Sequence, residues 1–145
     1  MTAMSDYLEG EILKHLFRTG TFTKPTAIAI SLSSSSPGEA GTGASHSELS
    51  STGSYARVAV NPSDSNWSAV SSGTTDNVAA ITFPTATAGW SATVTHCSVL
   101  DVSSPLTSGT AANLWFYGAL TASKTVSSGD IFKFNAGDLD IQIDN

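Results

Sequence analysis

The sequence predicts a mainly β fold: an antiparallel β-sandwich or partly open barrel of about eight short strands, with one N-terminal amphipathic helix. Three observations predict it. Ser and Thr fill more than a quarter of the 145 residues, while only 12% are charged. Thr favours strands, and Ser and Gly favour turns. Short apolar runs alternate between turn signals, as strands with one buried face do. Only residues 5–19 carry the apolar spacing of a helix. The length is one domain's worth and supports a modest core.

The helix has its own grammar. Ser5 is a good N-cap, and Asp6 suits the first turn. Glu9 and Glu11 lie early, and Lys14, His15 and Arg18 lie late, as the macrodipole favours. Leu8, Ile12, Leu13, Leu16 and Phe17 make an apolar face. Gly10 costs about 1 kcal/mol against alanine, and Gly20 fits a C-terminal stop. So short a helix is marginal alone. It is expected to cover a sheet edge or face, the alternative being insertion into a partner subunit.

Strands follow in order. Residues 26–32 put Ile28, Ile30 and Leu32 on one face and Ala27 and Ala29 on the other. Residues 33–54 are a long polar loop with no periodicity, of the kind that is functional or ordered by a neighbour. Residues 55–60 resume a strand, 61–66 turn, 67–70 form a short strand and 71–77 turn again. Ala79, Ile81 and Phe83 alternate until Pro84 ends the ladder. A loop of small residues then leads to Trp90, and a strand runs from near Thr93 to about Leu100. Residues 101–110 form a loop carrying Pro105 and Gly109. Residues 112–120, with Leu114, Trp115, Phe116 and Tyr117, read as a strand buried on both faces for part of its length. Short strands at 124–126, 131–134 and 139–143 finish the chain, with turns at 127–130 and 135–138. In the last strand Leu139, Ile141 and Ile143 alternate against Asp138, Asp140, Gln142 and Asp144.

Composition excludes several classes. A net charge of −6 argues against a nucleic-acid partner. No apolar run is long enough to span a membrane as a helix. The opening Met1-Thr-Ala-Met-Ser-Asp6 lacks the pattern of a secretory signal. The single cysteine, Cys97, rules out an internal disulfide and reads as a buried structural thiol. His15, His46 and His96 form no metal-ligand spacing with it, and adjacent His96 and Cys97 point to opposite strand faces. The C-terminal aspartates lack a calcium-loop pattern and read as a solvated face. No nucleophile elbow, phosphate loop or paired-carboxylate cleft is visible. The expectation is therefore no enzyme, no catalytic residue, no cofactor and no metal. Trp67, Trp90, Trp115 and Tyr117 raise a carbohydrate-stacking surface, but aromatics at strand spacing are more often core. Trp90, placed in a loop, is the one expected to be exposed.

Several pieces in this order resemble a known family. They are Ser5-Asp-Tyr-Leu-Glu-Gly-Glu-Ile-Leu-Lys-His15, Thr21-Phe-Thr-Lys-Pro-Thr-Ala-Ile-Ala-Ile30, Gly53-Ser-Tyr-Ala-Arg-Val-Ala-Val60 and the run from Ala79 to Trp90. Tyr117-Gly-Ala-Leu-Thr-Ala-Ser-Lys-Thr-Val126, Ser128-Gly-Asp130 and Ala136-Gly-Asp-Leu139, with the strand running on to Asp144, complete the set. Together they resemble small tailed-bacteriophage proteins often labelled phage tail fibre proteins. The loop 33–54 departs from that resemblance.

The resemblance implies a virion structural protein, made in the host cytoplasm, with no catalytic residues. The chain has neither collagen-like triplets nor a heptad stalk, so it is no fibre by itself. The reading is a capsid decoration, or cement, protein that binds the outer shell and bridges major capsid protein subunits. The alternative is a tail-associated or tail fibre protein that contributes to binding a host receptor glycan. Its partners are then the major capsid protein and other virion proteins, with a homo-oligomer expected and dimer and trimer both open. The contact candidates are Leu8, Ile12 and Leu16 on the helix, Glu39, His46 and Glu48 in the loop, and Trp90.

Overall fold

A computed structural model describes residues 3–102 and 106–143. Nine strands and one helix appear in it, and every strand pairing is antiparallel. The strands are β1 (Ala3–Met4), β2 (Ala29–Ser33), β3 (Val58–Ala59), β4 (Thr74–Asp76), β5 (Ile81–Thr82), β6 (Val94–Leu100), β7 (Leu114–Lys124), β8 (Lys133–Phe134) and β9 (Asp140–Gln142). The helix α1 spans Asp6–Phe17. One sheet holds five strands in the order β1-β7-β6-β2-β3. Two ribbons, β4-β9 and β5-β8, complete the architecture. The large sheet ends in free edges at β1 and β3, so it is open and does not close into a barrel.

The frame is β2-β6-β7. Ile30 pairs with Val99 and Leu32 with Cys97, while Val99 pairs onward with Phe116. All five residues of β2 are buried, so both of its faces are covered. Ile30 and Leu32 enter the main core, and Ala29 enters a smaller cluster with Leu100, Val102 and Leu114. The main core is aromatic at its centre. Phe83 lies 5.6 Å from Phe132, and Phe132 lies 5.4 Å from Phe134, both edge-on, the geometry that ring quadrupoles favour. Cys97 sits in this core, and burial pushes its thiol up to about 12, so it is a structural hydrophobe at neutral pH.

The structure corrects several boundaries. Residues 71–77 are not a plain turn. The turn is confined to Ser72 and Gly73, with φ of 49° and 73°, and β4 follows at once. Positive φ at both central residues matches the strand twist of a tight hairpin. The polar content of Thr74, Thr75 and Asp76 disguised the strand. The expected strand at 67–70 reduces to one bridge between Trp67 and Asn77. The run 124–126 is not a separate strand, because β7 continues through a bulge to pair Lys124 with Val94. The strand expected at 26–32 begins at Ala29, and that at 55–60 shortens to β3. β1 has only two residues and no period to reveal it. Pro105 and Asp144 lie outside the described residues.

Candidate docking surface and the buried latch of the polar loop

The helix starts as its sequence dictates. The Ser5 hydroxyl accepts the Leu8 amide at 3.3 Å and itself donates to the Leu114 carbonyl. The Ser5 amide donates to the Trp115 carbonyl at 3.0 Å, so the cap is also a rivet to β7. The helix ends at Arg18, whose amide donates to the Lys14 carbonyl; the stop falls two residues before Gly20.

The apolar face then divides. At about 100° per residue, Leu13, Leu16 and Phe17 centre roughly 110° round the helix from Leu8 and Ile12. One sheet edge cannot cover so wide an arc. Leu8 is buried at 3% exposure and Ile12 is half-buried against the core. Leu13, Leu16 and Phe17 stand 56%, 64% and 79% exposed. The helix therefore does cover the sheet, as expected, but leaves a three-residue apolar ridge in solvent. Among the contact candidates Leu16 is on that ridge, whereas Leu8 is part of the core.

The loop expected to be a free arm is strapped to its own domain. Glu48 bridges back to Ser33, and the Leu49 amide donates to the Leu32 carbonyl at 3.1 Å. Thr42 bridges to Asn113. The physical reason is a buried ion pair. Arg57 Nε donates to Glu48 Oε1 at 2.9 Å, and Nη2 donates to Glu48 Oε2 at 2.7 Å. The two side chains are 0% and 2% exposed. Arg57 Nη2 also donates to the Gly43 carbonyl, at 2.7 Å. Glu48 accepts further bonds from the Tyr55 hydroxyl at 3.0 Å and the Gly109 amide at 2.9 Å. Three segments of the chain thus meet on one carboxylate.

His46 and Glu48, both expected at a partner contact, belong to this interior cluster. Glu39 remains exposed, and its carbonyl accepts the Asp6 amide at 3.0 Å. Arg57 was missed as a functional residue. The signal for it was a lone cation two positions after Tyr55 in an apolar run, where only a buried acid satisfies it.

His46 is held neutral. Its Nδ1 lies 2.8 Å from the Thr42 carbonyl and must donate there. Nε2, 3.2 Å from Ser31, then accepts that hydroxyl. Burial lowers its pKa from the usual 6.5, against the opposing pull of the Thr42 carbonyl and Glu48. The unfolded chain thus takes up a proton at a higher pH than the folded one. Stability is full above the ordinary imidazole value and falls as pH drops below it. Urea midpoints of the wild type will therefore decline between pH 7 and 5 more steeply than those of a His46→Gln variant. Equal slopes would mean that His46 takes no part in that loss.

Trp90 is not an exposed aromatic. It is 7% exposed and sits 5.2 Å from Tyr55, edge-on. Its indole N–H donates to the Gly53 carbonyl at 3.3 Å. Gly53 has a φ of 67°, and a Cβ there would collide with the Ala88 carbonyl oxygen. The loop before Trp90 folds inward because its amides find partners: Ala86 donates to the Asp130 carbonyl, and Trp90 to that of Val126. Trp90→Ala is expected to cost about 3–5 kcal/mol in urea denaturation, as a core cavity does. A loss under about 0.5 kcal/mol, the scale of surface substitutions, would contradict the burial.

Among the described residues, no group of three or more His, Cys, Asp and Glu side chains is placed to hold a metal ion, and no helix is long and apolar enough to cross a membrane. The class this structure defines is a small, open-sheet antiparallel β domain with one helix riveted along its edge. Residues 3–142 match the family model described as podophage GP4 fiber I protein gp80, and the chain belongs to that family. It is thereby a bacteriophage fibre-type structural protein. No curated protein matches the chain.

Proposed function

We propose that this chain is a non-enzymatic subunit of the phage virion that docks as a pre-folded domain on the outer capsid shell and bridges neighbouring subunits of it. The observation that carries the reading is the ridge Leu13, Leu16 and Phe17, three large apolar side chains left in solvent on one side of the helix. An exposed apolar ridge on a folded domain marks an interaction site. The compact single domain supports a decorating role better than a stalk. In this reading the domain rests on the major capsid protein and α1 reaches an adjacent subunit. Many modest contacts repeated over the lattice supply avidity. The loop 33–54 drops out as a free arm, because the Glu48–Arg57 pair holds it.

A second reading has its own support. The family is described by a fibre protein, which favours a place on the tail. Burial of Trp90 removes from that reading the one aromatic expected to be exposed, while Trp67, Trp115 and Tyr117 are half-buried.

The test is rebinding. Purified chain is added to particles that lack it and is separated by sedimentation. Saturable binding to shells without tails supports decoration. Binding only to tailed particles moves the chain to the tail, and no binding to either removes the virion-docking reading.

A further inference from the structure

The docking reading leaves open what a neighbouring subunit offers to this chain. We propose that a neighbouring virion subunit inserts an extended peptide segment, as a guest strand, between the open edges of β3 and β5. This rests on the docking reading and names the chemistry of one contact within it.

Two strand edges carry the proposal. β3 is the last strand of the five-stranded sheet, and β5 belongs to a two-stranded ribbon, so each is paired on one side only. Residues 58–60 and 79–82, with Asn66, form the walls of one groove of about 290 Å³. The two edges share that groove yet exchange no ladder bond with each other.

Each wall turns unused backbone groups outward. In an antiparallel ladder, successive residues alternate between bonding the partner strand and pointing away from it. The Val60 amide donates to the Ile28 carbonyl at 2.8 Å, so Val58 and Val60 hold the positions bonded towards β2. Ala59, opposite Ala29, therefore points its N–H and C=O away from β2. The Phe83 amide donates to the Phe132 carbonyl at 2.9 Å, so Ile81 and Phe83 hold the bonded positions of the ladder with β8. Thr82 points its backbone groups away from β8, and Ala80, two positions earlier, shares that direction. Ala59, Ala80 and Thr82 are all exposed, and among the described residues their backbone groups have no partner.

This groove is matched to a polypeptide backbone. No residue of either wall is charged. The Asn66 side-chain amide is already committed to the Asn61 carbonyl at 2.9 Å. What the walls present is N–H and C=O at strand spacing from two edges, the pattern that an extended chain satisfies by strand addition. Alanines at 59, 79 and 80 leave a guest backbone room to approach. Exposed edges are ordinarily blunted by charge or proline, and residues 58–60 and 79–82 carry neither. A guest strand would bond both edges at once and join the large sheet to the β5-β8 ribbon. An arm donated in this way ties its own subunit to this one.

The experiment is hydrogen exchange read by mass spectrometry, comparing the free full chain with the chain rebound to particles that lack it. Exchange is expected to slow by about tenfold or more at the Ala59 amide in one stretch and at the Ala80 and Thr82 amides in the other. Ala59→Pro and Ala80→Pro each delete an outward N–H that is unbonded in the free domain. Each is expected to keep the wild-type urea midpoint and to lose about tenfold in particle affinity. The exchange comparison needs wild-type chain alone, so it decides the matter even where a proline variant fails to fold. Wild-type binding with unchanged exchange in both stretches would overturn the guest strand and leave docking in place. Slowing in one stretch alone would overturn insertion between two edges, and so would proline variants that fold and bind as wild type does. A wild-type chain that binds no particle would remove the docking reading and this inference with it.

Discussion

Replacing Arg57 with alanine is expected to lower the unfolding free energy by about 3–5 kcal/mol, the cost of leaving a buried charge without its partner. The carboxylate of Glu48 would keep the bonds from Tyr55 and Gly109 but lose both guanidinium donors. Arg57→Lys is expected to rescue little, because an ammonium cannot present the same fork to Glu48 and also reach the Gly43 carbonyl. The effect is local as well as global. Residues 34–50 would lose their central tie, so protease cleavage is expected to move into that loop. Urea denaturation and limited proteolysis read the two effects. A loss under about 1 kcal/mol, typical of a surface pair, would show that the pair does not hold the loop.

The second large effect is on assembly. Leu16→Ser with Phe17→Ser is expected to leave the isolated domain within about 0.5 kcal/mol of wild type, as surface changes do. Retention on particles is expected to fall by about a hundredfold, the scale on which a lost repeated contact removes avidity. Both side chains are more than half exposed, so stability and docking separate cleanly at these positions. A variant that folds and is retained as well as wild type would end the role of the ridge.

Much of this architecture is legible in the residues. Ser5 as a cap, the alternation of Ile30 and Leu32, the break at Pro84 and the long run into Leu100 all follow from local chemistry, and the structure keeps each of them. What escapes is set by distant partners. The ladder of β4 depends on β9, more than sixty positions away, and polar Thr74 and Asp76 carry no apolar signature. The 33–54 loop reads as free because its anchor, Arg57, lies beyond its end and no periodicity links the two. Trp90 reads as a loop residue, and so it is. Only the inward bonds of residues 86 and 90 turn that loop into core. The helix face was legible as apolar but not as divided, because the arc that β7 can cover is a property of the packed pair.

Copy number in purified particles tests the central claim most directly. Quantitative mass spectrometry against the major coat protein gives it. A shell decoration predicts copies in proportion to the coat protein. A handful of copies per particle would contradict decoration and put the chain on the tail, and its absence from purified particles would contradict a virion subunit altogether.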